Sequence, residues 1–437
     1  MVDAQDEDTR LGVQTNLTRH PVMRATTLLR VLICIHHLVV RGFYFEEAGL
    51  VVEVAPDGRK LPRCGECGAK CKQVKDRRLR RWRHLDFAGM TVHLEHVIRR
   101  VHCLSCRGVK TERVDWAEPG SNFTCAFEER AAFLAQQCSQ TTVSKFLRTS
   151  WRTVGAIINR VVHRESDSLG DRLDGLRHIG IDELSYRKHH EYVTVVVDHE
   201  RGVVVWSAKG KSADTLRRFF AELGPLRSAA IESVTIDMSP AYIAAVSEAV
   251  PRARLIFDCF HVQRLVQNAL DETRREKVRA AQDKEEKRAL KGIRFPLLKS
   301  EWNLTEADVQ TLAELEYSNA EIFKGHLLKE WFAFILEGRQ VNVARRRMEE
   351  WIGEAKASGL SAFARVAGTI ERHLEGILEY VRTRSSNGRT EGLNGKIRTI
   401  TRRSFGFHSA QALISMIFLC CGGVRVTPAF SAPRIFH

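Results

Sequence analysis

A chain of 437 residues is too long for one small domain, and at roughly 150 residues per domain it suggests two to four units. Its composition, 44% hydrophobic and 28% charged, is globular and argues against wholesale disorder and against a membrane protein. The net charge of +15 points to a polyanionic partner, nucleic acid first among them.

The opening MVDAQDEDTR is acidic and lacks the basic-then-apolar order of a secretory leader. Residues 1–58 read as an N-terminal segment, with a helix and two short strands between 21 and 57. Val51, Val52 and Val54 fall in the second strand and Pro56-Asp57-Gly58 closes it. The apolar runs 31–40 and 414–424 are too short to span a bilayer, so a cytoplasmic protein with no membrane partner is expected.

Residues 59–118 read as a zinc-binding basic module. The 11 cysteines of a cytoplasmic chain suggest thiols and metal ligands before disulfides. Cys64-Gly-Glu-Cys67 and Cys103-Leu-Ser-Cys106 each place two thiolates toward one tetrahedral zinc, with Cys71, His84 and His102 as alternatives for one ligand. Between Arg59 and Arg113 there are 16 Lys and Arg against 5 Asp and Glu, an excess of +11. Strand-like alternation in MTVHLEHVI and the interleaved Trp82 suggest a knuckle that presents Arg77, Arg78, Arg80, Arg81 and Arg83 to phosphates. A dimerisation knuckle with a solvated basic face is the alternative.

Residues 119–170 read as a helix-turn-helix with its turn near Thr149-Ser150. Ser150 is a good cap for the second helix, whose Val154, Ile157, Ile158, Val161 and Val162 share one face. Arg152, Thr153, Asn159, Arg160 and His163 then face outward as candidate groove and phosphate contacts.

From 178 to 258 strand and helix signals alternate: HIGID, a hairpin turning at Glu200-Arg201-Gly202, a helix over 212–222, SVTID, a helix over 240–249, and RLIFD. Asp182 and Asp237 end apolar runs, where a sheet can fix a carboxylate against a cleft for a metal; strand ends also collect Asp for local hydrogen bonds. Residues 260–382 are charged and helical, with no strand signal.

Residues 383–424 return to specific chemistry. SSNGRTEGLNGKIRTITRRSFGF predicts a helix with Glu391, Asn394, Arg398 and Arg402 on one face and Leu393, Ile397 and Ile400 opposite; Arg389, Lys396 and Arg403 add to its DNA-binding set. Gly392 and Gly395 each cost a helix roughly 1 kcal/mol relative to Ala, and a close DNA backbone would explain both. Residues 425–437 form a tail.

This order of strands, with a late helix bearing Glu, resembles the ribonuclease H-like DDE transposases. IGIDE, TIDMSPAY, FDCFHVQR and NGRTEGLNGKIRTITRRSFGF, with the C-x-x-C pairs and the helix-turn-helix, are similar to the ISL-three group of insertion-sequence transposases from about residue 50 to 422. The resemblance implies an α/β ribonuclease H-like catalytic domain (171–259 and 383–424) carrying a large all-helical insertion (260–382). Asp182, Asp237 and Glu391 would be its catalytic triad, holding Mg2+ or Mn2+, and Asp258 and His261 an auxiliary pair that orients the scissile phosphate.

The implied activity is recognition of element ends followed by metal-dependent cleavage and strand transfer on double-stranded DNA. A homodimer or larger assembly, associated with the nucleoid, would bring two ends together. Its rivals are a non-catalytic DNA-binding regulator and a magnesium-dependent nuclease without strand transfer.

Overall fold

The structure, a computed structural model, describes residues 23–35, 37–56, 61–87, 89–187, 191–384 and 388–426. The turn residues Asp57 and Gly58 and the tail beyond Val426 lie outside them. The chain divides into two compact units between Phe133 and Leu134.

In the first unit α1 (Ala25–Ile33) is followed by β1 (Leu38–Glu46) and β2 (Gly49–Pro56), an antiparallel pair. β3 (Val74–Phe87) and β4 (Met90–Cys103) form a long hairpin, with β5 (Gly108–Thr111) on the end of β4 and β2 parallel to β4. The arginine-rich run is therefore itself a strand. A half-exposed strand needs inward-facing side chains only where it covers core, and Trp82 and His84 supply them. Trp82 packs edge-to-face on Trp116 with centroids 5.8 Å apart, over Leu50, Val52, Val92 and Leu94.

α2 (Cys125–Gln137) crosses the boundary, and the second unit continues with α3 (Gln140–Phe146) and α4 (Trp151–Leu169). Its sheet has the order β10-β9-β6-β7-β8. β6 (His178–Arg187), β7 (Glu191–Asp198) and β8 (Val203–Lys209) form an antiparallel meander turning at Gly202, where φ is +65°. α5 (Ala213–Leu223), capped by Ser212, and the short α6 (Pro225–Ser228) lead to β9 (Ser233–Ile236). α7 (Pro240–Ala249) crosses to β10 (Arg254–Phe257), and β9 runs parallel to both β6 and β10.

β6 runs on to Arg187, so Asp182 lies inside a strand and not at its end. The antiparallel partner β7 continues past the point where β9 stops, and the buried Leu184 and Tyr186 extend β6 with it.

From α8 (Cys259–Ala280) onward the described residues are helical, through α9 (Lys284–Gly292), α10 (Arg294–Leu298), α11 (Glu306–Ser318), α12 (Ala320–Glu337), α13 (Val341–Ala357), α14 (Ser361–Arg372) and α15 (Leu374–Thr383). These helices share one apolar core with the sheet, in which Trp351, Phe332 and Phe363 join Leu270, Val262 and Phe257. α15 comes so close to β10 that a Cβ on Gly376 would lie 2.4 Å from the Phe257 ring. The chain then returns as α16 (Gly388–Arg403) and ends, as described, with α17 (Ala410–Cys421), which packs on β8, α4 and α16.

Candidate metal and nucleic-acid sites

Two knuckles face each other in the first unit. Gly68, at φ +71°, closes a turn in which its N–H donates to the Cys64 carbonyl. The other knuckle follows β4, where the Cys106 N–H points at Cys103 Sγ. The four Sγ atoms of Cys64, Cys67, Cys103 and Cys106 lie within 4.8 Å of one another, with Cys64 to Cys106 at 3.8 Å and Cys67 to Cys103 at 3.4 Å. A tetrahedral zinc with bonds of ~2.3 Å needs sulfurs ~3.8 Å apart, so the residues fit that ion. The alternative ligands do not join the cluster: Cys71 bonds the Ala69 carbonyl, His102 is exposed, and His84 is buried with Nδ1 2.9 Å from Thr124 Oγ1. Burial pushes the His84 ring down to about 4, which keeps it neutral.

The basic hairpin divides its arginines between two tasks. Arg81 faces Glu95 across the β3–β4 register and donates to it at 2.6 Å, with further bonds to Glu46 at 3.0 Å and Tyr44 at 2.9 Å. Arg80 donates to the Ser121 carbonyl at 2.8 Å and stacks over Trp82; Arg83 pairs with Asp86 and lies over Phe127. These three, expected as phosphate contacts, are engaged within the chain. Arg77 and Arg78 are exposed, and Arg77 lines a cleft with Arg41, Leu79, Val97 and Arg99. Arg41 lies on β1, outside the basic module, and Arg99 on β4, away from the arginine run of β3, so neither stands out in the sequence; Arg99 also donates to Glu112 at 2.7 Å.

Ser150 caps α4, its Oγ accepting from the Thr153 N–H at 3.1 Å, and Val154, Ile157, Ile158, Val161 and Val162 are buried. Asn159, expected to read bases, instead shares a 3.2 Å hydrogen bond with Ser415 of α17. It falls on the flank of α4 that α17 covers. Arg152 and His163 stay exposed, while Arg160 is half-buried with a partner of its own.

In the sheet of the second unit, Gly180 is level with Thr235, and Ile236 with Phe257. Carrying these registers forward puts Asp182, Asp237 and Asp258 in one row across three neighbouring parallel strands, just past the carboxyl ends of β9 and β10 and within β6, near the edge where open α/β sheets bind their ligands. Burial holds Asp182 above the usual carboxylate range, opposed by a hydrogen bond from the Glu183 N–H and by His261, and reinforced by Asp237. Burial also pushes Asp258 up to about 6, with the charges of Glu391 and Asp182 adding to it. Asp258 Oδ1 caps α8 through the Phe260 N–H at 3.2 Å, while its buried Oδ2 has no hydrogen bond and lies 3.8 Å from His261 Nε2.

Glu183, the last residue of the IGIDE run, is likewise raised, by burial first and then by Asp237 and Asp182. Crowded, desolvated carboxylates are a donor set suited to a hard divalent cation. Their oxygens are nonetheless not drawn to ligand spacing: among the described residues only the four cysteines form a cluster within 4.8 Å.

α16 crosses this row. Thr390, Asn394, Ile397 and Ile400 are its buried residues, while Glu391, Gly392, Gly395, Arg398 and Arg402 are exposed. Asn394, expected on the DNA-facing side, is turned inward and donates through Nδ2 to Asp182 Oδ2. It stands about 60° of helical rotation from both Glu391 and Ile397, so the spacing alone left its side undecided.

Three other expected DNA contacts on α16 are occupied. Arg389 reaches the carbonyls of His199 and Glu200, Lys396 the Cys420 carbonyl at 2.6 Å, and Arg403 the last carbonyls of α2 at Ala135 and Gln136. A Cβ added at Gly392 or Gly395 would meet nothing within 4 Å, so packing inside the chain does not explain either glycine.

Comparison with known proteins agrees with this arrangement in all three parts. A family model described as a transposase matches residues 179–417, a helix-turn-helix domain of transposase family ISL3 matches 112–162, and a zinc-finger of transposases IS204, IS1001, IS1096 and IS1165 matches 60–106. The chain is similar to the transposase for insertion sequence element IS1557 of Mycobacterium tuberculosis, with 35% identity covering 93% of this chain and 97% of the relative. It is also similar to the transposase for insertion sequence element IS1001 of Bordetella parapertussis, with 29% identity covering 80% and 87% of the two chains. No helix among the described residues is long and apolar enough to cross a membrane.

Proposed function

The chain belongs to the ISL3 family of transposases, and from that membership we propose how it acts on DNA. It is a DNA transposase, with a zinc-ribbon module, a helix-turn-helix and a DDE catalytic domain. We read the catalytic domain as ribonuclease H-like, a reading supported by an antiparallel meander joined edge-on to two parallel strands.

The observation that carries the site is the row of Asp182, Asp237 and Asp258, with α16 bringing Glu391 into the same field. In this reading Asp182, Asp237 and Glu391 hold divalent cations, magnesium or manganese, which when bound supply charge to activate the attacking oxygen and steady the leaving 3′ oxygen. Asp258 and His261 orient the scissile phosphate. Arg398 and Arg402, exposed beyond Glu391 on α16, hold flanking phosphates.

The zinc module binds DNA through Arg77 with the cleft it borders and through the exposed Arg78, and α4 contributes Arg152. Joining requires two element ends in one complex, so the active form is a dimer or larger assembly on the cytoplasmic chromosome. The test is incubation of the purified protein with labelled element ends, target DNA and magnesium. Cleaved and joined products are expected; cleavage alone would mark a nuclease, and binding alone a regulator.

A further inference from the structure

We infer that Asn394 is a positioning residue that ties the docking of α16 to the geometry of the acidic site, an inference that rests on the reading of Asp182 as a metal-holding carboxylate. Both Asp182 oxygens are committed within the chain. Oδ1 accepts from the Glu183 N–H at 2.7 Å and Oδ2 from Asn394 Nδ2, so the carboxylate plane is set from two elements.

Asn394 is 1% exposed and sits beside Ile397 and Ile400 on the buried side of α16, where an apolar residue would pack and keep the helix. Its Oδ1 is buried without a hydrogen bond. A polar group placed in an apolar stripe with half its capacity unused is explained by the single bond it makes, a charge-assisted one to Asp182. Glu391 stands one turn earlier on the same helix. Asn394 therefore fixes Asp182 and the phase of the helix that presents Glu391 at once.

The experiment compares Asn394→Leu, Asn394→Ala and Asp182→Ala in the full-length protein. Three quantities are read: the melting temperature, Mn2+ affinity from the spin-resonance signal of free Mn2+, and cleavage of labelled ends across a magnesium titration. Asn394→Leu is expected to melt within a few degrees of the parent and to bind element ends normally. Its Mn2+ affinity should fall roughly 10- to 100-fold, with the magnesium midpoint for cleavage shifted upward to match.

Should the leucine not fold, the alanine variant reports the same loss of donor without added bulk. Parent-like Mn2+ affinity and magnesium midpoint in the Asn394 variants, with both lost in Asp182→Ala, would overturn the positioning role alone. Retention of both in Asp182→Ala would overturn the acidic-site reading on which it stands.

Discussion

Phe257 at the end of β10 lies against Gly376 of α15 so closely that any side chain there would enter the ring. That contact pins the last helix of the long helical segment beside the row of aspartates. α16, the next helix in the chain, meets the same row through Asn394, which donates to Asp182. The strand-end Asp258 and the late Glu391 are thereby neighbours in charge although far apart in sequence.

Glu391→Gln is expected to abolish metal-dependent cleavage and strand transfer while leaving affinity for element ends within about twofold, because the recognition modules lie elsewhere in the chain. Glu391→Asp should fail nearly as completely. Shortening the side chain moves its oxygens by about 1 Å, enough to cost on the order of a hundredfold in rate. Gel assays of cleavage and joining beside a binding assay decide it, and joining by the glutamine variant would rule Glu391 out.

Metal analysis of purified protein should find about one zinc per chain. Cys64→Ser combined with Cys103→Ser is expected to lose that zinc and the protease resistance of the first unit together, since binding free energy is folding free energy in such a module. Zinc retained by the double variant would remove these cysteines from the site.

The arginines of β3 should separate into two classes. Arg81→Ala breaks a pairing with Glu46 and Glu95 that is partly open to solvent, and is expected to lower stability by about 1 kcal/mol or less with the salt dependence of DNA binding kept. Arg77→Ala or Arg78→Ala should leave melting unchanged and make the slope of log affinity against log salt shallower by about 1 each. Salt slopes equal to the parent's in all three would remove the hairpin from the DNA interface.

Gly392→Ala and Gly395→Ala offer a sharper contrast. Each adds a methyl to open, exposed helix and should stabilise the protein by about 0.5–1 kcal/mol. If the face of α16 beside Glu391 takes a DNA backbone at close range, the same variants should join ends at least about tenfold more slowly. A stabilised variant that joins ends at the parent rate would show that the glycines make no room for DNA.

Much of this was legible in the sequence because it depends on local spacing. The paired cysteines, the Ser150 cap and the alternation of strand and helix from 178 to 258 each follow from a few neighbouring residues. What escaped depends on partners remote in the chain. Asn394 reads as surface until β6 is packed against it, Asn159 until α17 covers it, and Arg81 until β1 supplies Glu46. Asp182 reads as the end of a strand because its apolar run stops there, but pairing with β7 carries β6 further.

The apolar core running without a break from the sheet into α8 through α15 sets a limit on protein engineering. In sequence the helical segment looks like a cassette that could be cut out and the ends rejoined. Physically its removal would strip cover from Phe257 on β10 and leave the catalytic sheet with an open, adhesive flank. Deletions across this region are expected to aggregate rather than report on a smaller enzyme, so its role is better probed by substitutions on its solvent face, at Phe295, Trp302 or Tyr317, than by truncation.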